Sequence, residues 1–403
     1  MKRTFSRLCV LLLLLAAFHG CAEFEDPGFV YITSYDVVGG WHSADSLDGA
    51  LDGMSADFGD NAIQNATKYS VQLFKIRYRT TYKGSPVTAS GVVLVPTSVH
   101  TPLPVVSYHH GTKFYDGEIP SMSTAFNLEK EVGWAYVMAS TGFVCSVPDY
   151  LGSNESSGIL HPYLLEEPAV TVAIDMLRAT FELCEYINVK TTNRIFLTGY
   201  AEAGYTTMVV QKRIQEKHAG EFNLVASTAG AGPYDLLTTA NVLFNQVANV
   251  VPAYSPFLFC AYNEYLGWGR ATSDVFQEPY ATSIDGGLFD GSTPMENINS
   301  ALTMYPVLLY QTNFLNDFNG IGETALKNAL ATNSVHSGWA PTAPTRLYHG
   351  DADLTVPYTN TLILSYAFFG GGGTFTAHTL PGKDHLSGAI PFLKATLLWF
   401  LSF

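Results

Sequence analysis

The feature that most constrains the fold is a series of short, uninterrupted apolar runs separated by helix-like segments. The runs at 103–108 (LPVVSY), 142–147 (GFVCSV), 195–198 (IFLT), 224–227 (LVAS) and 346–348 (RLY) lack a sustained wet face, as strands do when both faces of a parallel sheet are covered. Helical patterns at 169–187 and 204–218 fall between them. This alternation predicts an α/β chain with a mostly parallel central sheet, right-handed crossovers and helices on both faces. Two earlier segments read differently. Residues 69–82 alternate apolar and polar, and 86–96 reads as the hairpin partner. Core material is ample, with 47% hydrophobic and 14% charged residues among 403, which excludes global disorder. A formal charge of −14 without a basic stripe excludes a nucleic-acid partner, because phosphate neutralisation needs clustered Lys and Arg.

The N-terminus reads as an export signal. Met1-Lys2-Arg3 precedes an apolar run at 10–17 that is too short to cross a bilayer. Gly20-Cys21 after that run resembles a bacterial lipoprotein signal, with Cys21 as the lipidated first residue. The expectation is an exported protein, anchored to the outer membrane or cell surface through Cys21, or periplasmic or secreted if not lipidated. The expected organisation is a signal peptide at 1–20, a tether and irregular elaboration at 21–66, core at 67–232 and 344–403, and a helical lid at 233–343. In that last stretch the strand–helix alternation stops for far longer than an ordinary loop. Cys145, Cys184 and Cys260 have no CxxC spacing. They read as buried thiols, with one disulfide left open and no metal site.

Chemistry concentrates at Arg194–Gly204, RIFLTGYAEAG. An apolar strand runs into a glycine-bounded turn and then a helix, the setting of a nucleophile elbow G-x-S-x-G. Gly199 is present, Ala203 takes the place of the second glycine, and Ala201 stands where the serine belongs. A methyl group cannot attack a carbonyl. Further on, Asp353 follows a late apolar run and His385 follows another at 374–380. Nucleophile position, then Asp, then His, each just after a strand, is the order of a triad in which the histidine is general base and the aspartate fixes its tautomer. Upstream, Tyr108-His109-His110-Gly111-Thr112 also follows a strand. Backbone N–H groups of Gly111 or Thr112, with that of Glu202, would form an oxyanion hole.

These segments together resemble the α/β-hydrolase superfamily, in particular its secretory-lipase-like esterases. The likeness runs from about Val71 to the C-terminus. It is carried by YHHGT at 108–112, PDYLG at 148–152, HPYL at 161–164, DMLRA at 175–179, the bend at 199–204, AGPYDL at 231–236, HGDADLTVP at 349–357 and DH at 384–385. The resemblance implies a serine hydrolase of carboxylic esters with a helical lid over an apolar acyl pocket and neither metal nor cofactor. Ala201 departs from it.

Competing readings accompany these residues. Asp351 rivals Asp353 for the acid, and Asp353 itself fits a turn or helix-capping role. His109, His110, His161 and His349 read as structural, and Asp149 and Tyr150 as braces of the active-site loops or as a strand end. Removing one member of a Ser-His-Asp triad leaves only about 10³–10⁴-fold catalysis over water. The chain as written is therefore expected to show at most trace turnover. The alternative is a catalytically silent surface lipoprotein that binds an apolar or acylated ligand in the hydrolase pocket.

Overall fold

The computed structural model describes residues 28–42, 45, 62–123 and 131–403. The signal segment and Cys21 lie outside the described residues. A nine-stranded sheet runs in the order β1-β2-β3-β5-β4-β6-β7-β8-β9. Its antiparallel side comprises β1 (Ile32–His42), β2 (Val71–Tyr82) and β3 (Ser85–Pro96), and β3 in turn pairs antiparallel with β5 (Val144–Pro148). From β5 the ladder is parallel through β4 (Leu103–Tyr108), β6 (Thr191–Tyr200), β7 (Asn223–Gly230), β8 (Thr345–Gly350) and β9 (Phe375–Leu380). The α/β expectation is met: a mostly parallel sheet with an antiparallel hairpin flank.

One segment departs from its expected character. Residues 21–66 were expected to be irregular, yet Ile32–His42 is an edge strand on β2. Its sequence, ITSYDVVGGWH, mixes polar residues and glycines that blur the two-residue period. Side chains from elsewhere hold it in place. The Glu182 carboxylate accepts the N–H groups of Val30, Tyr31 and Ile32, while Arg79 donates to the carbonyls of Phe29, Val30 and Ile32. This strand is specified by distant partners more than by its own pattern.

The sheet separates two apolar layers. On one side lie α1 (Val132–Ser140) and the C-terminal helix Ala389–Phe400, packed on Val106, Phe196 and Ala226. On the other lie α2 (Glu166–Tyr186) and α3 (Glu202–Arg213), packed on Val105, Ile195 and Leu197. The segment between β7 and β8 contributes α4 (Leu236–Asn245), α5 (Tyr254–Leu266), α6 (Thr312–Asn319), α7 (Thr324–Asn333) and shorter helices. Aromatic side chains knit this cap: Phe244 meets Phe314 and Phe318 edge-on, as Phe259 meets Phe276. Such edge-to-face pairs contribute about 0.5–1.5 kcal/mol each beyond burial. The cap aromatics therefore serve largely as its own core. Cys145, Cys184 and Cys260 are free, so no disulfide joins them.

Candidate active site

β6 delivers the chain to a sharp bend. Ala201 has φ 60° and ψ −124°, and Glu202 begins α3 immediately after it. A left-handed φ at a residue carrying a Cβ costs about 1–3 kcal/mol unless its surroundings enforce it. Here the Ala201 N–H donates to Gly230 O at 2.9 Å, and the Ala201 carbonyl accepts from Gly204 N at 2.9 Å. Two glycines let the helix sit this close to the sheet. A Cβ at Gly199 would lie 2.4 Å from Ala203 O, and one at Gly204 would lie 2.5 Å from Gly230 O. The methyl of Ala203 fits because Gly199 has no side chain.

Asp353 and His385 arrive on the loops after β8 and β9. His385 Nδ1 donates to Asp353 Oδ2 at 2.6 Å, which leaves Nε2 as the free ring nitrogen. Asp353 Oδ1 accepts from Thr355 N at 2.8 Å and Val356 N at 2.9 Å, the local turn bonds its position also suggested. His349 Nε2 lies 3.3 Å from Asp353 Oδ2 and 2.9 Å from Val356 O. Burial alone would raise the Asp353 carboxyl, but the hydrogen bonds and charge of His349 and His385 hold it well below the ordinary carboxylate range. Asp351 is not part of this cluster. Its Oδ1 accepts the Gly382 N–H at 2.6 Å on the exposed side of the loop. Tyr200 packs its ring 5.5 Å from that of His385, a neighbour that the strand pattern alone did not reveal.

Of the three positions expected to offer oxyanion donors, Thr112 and Glu202 border the cavity beside Ala201 and Gly111 does not. Thr112, Ala201, Glu202 and His385 line one cavity. The Gly111 N–H is taken by the Glu131 carboxylate at 2.8 Å, so Gly111 is removed from the donor set. Glu131 lies twenty residues downstream, outside the motif, and also faces Lys113 at 3.4 Å. The cavity roof comes from the cap through Leu236, Leu243, Tyr254 and Leu258. It measures about 20 Å³, room for about one water molecule and too little for an acyl chain. The cap is closed.

The other motif residues are mostly structural. His109 is fully buried between Ser107 Oγ at 3.0 Å and Thr207 Oγ1 at 2.9 Å, and burial pushes its ring down to about 3. His110 holds Gly111 O, and Tyr150, itself at φ 68°, donates to His110 O at 3.0 Å. Asp149 accepts from Ser90 Oγ and Ser121 N. His161 does more than a structural reading allowed. Its Nδ1 donates to Leu151 O at 2.7 Å, and its Nε2 meets Glu202 Oε1 at 2.7 Å. Both HPYL and Glu202 were visible in the sequence, but nothing in their spacing joins two residues forty-one apart. Among the described residues no cluster of three or more His, Cys, Asp or Glu is arranged to hold a metal ion, and no helix is long and apolar enough to cross a membrane.

Two outcomes follow. Ala201→Gly should raise stability by about 1 kcal/mol in a denaturant titration, because glycine adopts this φ without the Cβ penalty; unchanged or lower stability would contradict strain at this bend. The His161 ring opposes its own burial but is raised above its usual value by Glu202 and Leu151. A raised folded-state value means that the ionised form contributes its full stability below about pH 6.5 and loses it as pH climbs through the folded-state value. The difference in melting temperature between this chain and His161→Phe should therefore shrink as pH rises from about 6 to 9.

Residues 118–402 match the model of the secretory lipase family. No curated protein sequence matches the chain. Among solved structures, a Legionella pneumophila protein described as a hydrolase is 26% identical, with a TM-score of 0.83 over 92% of this chain and 98% of that one. The rice cell wall degrading esterase LipA from Xanthomonas oryzae is similar at 23% identity and TM-score 0.78, covering 91% of this chain and 96% of its own. Candida antarctica lipase A shares the fold at 17% identity and TM-score 0.62, over 88% of this chain and 77% of that one. With most of its length matching the family model, and an α/β-hydrolase sheet beneath a helical cap, this chain is a member of the secretory lipase family.

Proposed function

We propose that this protein is an exported ester-binding member of its family that keeps the proton-handling half of a serine hydrolase and lacks the nucleophile. One observation carries the reading: the bend at Ala201, the donors of Thr112 and Glu202 and the Asp353-supported His385 border a single cavity under the cap. In this reading His385 Nε2 is the general base, Asp353 fixes its tautomer and stabilises the imidazolium, and the Thr112 and Glu202 N–H groups receive the oxyanion. The methyl at 201 removes the covalent route that divides the barrier into two steps. What remains is a pocket that recognises a carboxylic ester or acylated ligand and turns it over at trace rates. The cap must swing aside to admit either.

Ala201→Ser should raise p-nitrophenyl ester hydrolysis by on the order of 10³-fold or more, since a nucleophile acting with its base contributes at least that much. Adding His385→Ala should abolish the gain. A serine variant that stays inert while the unaltered chain binds acyl ligands would favour the second reading, a silent binding protein. For localisation, the proposal is a lipid anchor at Cys21 on the outer membrane or cell surface. Mass spectrometry of protein expressed with its signal should find diacylglycerol on Cys21 and none in Cys21→Ser; an unmodified cysteine would exclude the anchor.

A further inference from the structure

The sheet ends at β9, the last strand in its order, and that end carries no formal charge. Residues 354–382 contain no Asp, Glu, Lys or Arg, in a chain that is 14% charged. The stretch includes a surface helix, α8 (Thr359–Gly370), and β9 itself. Natural sheets guard such an edge with charges, a proline or a bulge, because its free N–H and C=O groups invite another strand. None of these interrupts 375–380. Thr345 of β8 pairs with Phe375, and the Thr345 N–H donates to Thr374 O. In a parallel ladder the even-numbered residues of β9 therefore address β8, and the backbone groups of Phe375, Ala377 and Thr379 point outward. The helix adds an apolar flank to this edge. Asn360 faces α4, bonding Asp235 N and Thr239 Oγ1, while Phe368 meets Phe375 of β9 edge-on. At about 100° per residue, the positions that continue past Phe368, away from Asn360, are Thr361, Ser365, Phe369, Leu362 and Tyr366. Phe369 is 81% exposed, Tyr366 77% and Leu362 40%, on a helix face that ordinarily carries charge.

The geometry points to a second copy of the chain as the partner of this corner, the two β9 strands pairing antiparallel across a two-fold axis at Ala377. In that register Ala377 faces its twin and Phe375 faces Thr379, and each opposed pair exchanges both N–H···O bonds. Moving the axis by one residue leaves Phe375 or Thr379 unpaired. α8 sits over β8 and β9 through Thr361–His349 and Phe368–Phe375. With strands about 4.8 Å apart, the two helices come to roughly 10 Å, an ordinary packing distance, with Ser365, Phe369 and Leu362 turned toward the twin. A two-fold contact needs a surface complementary to itself, and two copies of net charge −14 meet here without opposing like charges. The one histidine of the stretch, His378, stacks on Tyr348, and burial together with Arg346 lowers its ring below the usual value, so it stays neutral at neutral pH. A lipid surface fits less well, because hydrocarbon offers no partner to the outward N–H and C=O groups.

Cysteine cross-linking of the full chain reads this register directly. Ala377→Cys brings two thiols within disulfide reach, because opposed Cα atoms lie about 5.5 Å apart. Thr379→Cys sets its two copies four residues out of register, roughly 14 Å apart, too far to bridge. Under mild oxidation with copper–phenanthroline, Ala377→Cys should give a band at twice the chain mass. Thr379→Cys should not, nor should Val247→Cys, which is 86% exposed on the cap, and the unaltered chain sets the background. Adding Phe369→Glu to Ala377→Cys should cut the cross-link by about tenfold or more, since two carboxylates would face each other across the axis. Ala377, Thr379 and Phe369 are all exposed; should Phe369→Glu nevertheless fail to accumulate, the contrast between Ala377→Cys and Thr379→Cys still decides the strand pairing. No band from Ala377→Cys, a band with the mass of a different partner, or equal bands from Ala377→Cys and Thr379→Cys would overturn the inference. A cross-link indifferent to Phe369→Glu would overturn the helix contact.

Discussion

The site depends on how closely α3 approaches the sheet. The bend at Ala201 exists because Gly199 and Gly204 leave no side chain between β6, β7 and the helix, and because Gly230 O accepts the Ala201 N–H. Everything chemical is referenced to that bend. It aims residue 201 into the cavity, and it starts a helix whose first N–H groups have no acceptor within the helix. Close packing of this kind is unforgiving, since even one methylene at a tight contact forces backbone or rotamer shifts.

A second layer of order comes from buried polar side chains that tie loops to one another. Asp353 collects donors from two histidines and two backbone amides. Asp149 ties the loop after β5 to Ser90 and Ser121, and His161 joins that loop to the start of α3. Its ring also stacks 5.9 Å from Phe257 of the cap. The cap, the loop and the bend therefore share one residue as a common contact. Such networks favour a single arrangement only when most members are paired.

The sequence made the sheet legible wherever strands are buried on both faces, because 103–108 or 195–198 can hardly sit anywhere else. It also placed Asp353 and His385 on loops that the structure brings within one hydrogen bond. β1 was invisible for a physical reason: an edge strand with one exposed face and glycines has little pattern, and its ladder is fixed by Glu182 and Arg79 from far along the chain. The misassigned donor at Gly111 has the same origin. A motif shows that a loop offers amides, but only tertiary contact shows that Glu131 has already taken one. The His161–Glu202 pair escaped notice because each residue had a sufficient local explanation.

The backbone at position 201 keeps a conformation that a small polar residue would use and an alanine merely endures. Alanine and serine codons differ by a single base, and the two side chains differ by one oxygen atom. Either side chain would fit the same bend, because the glycines at 199 and 204 and the carbonyl of Gly230 set its shape and the side chain at 201 does not.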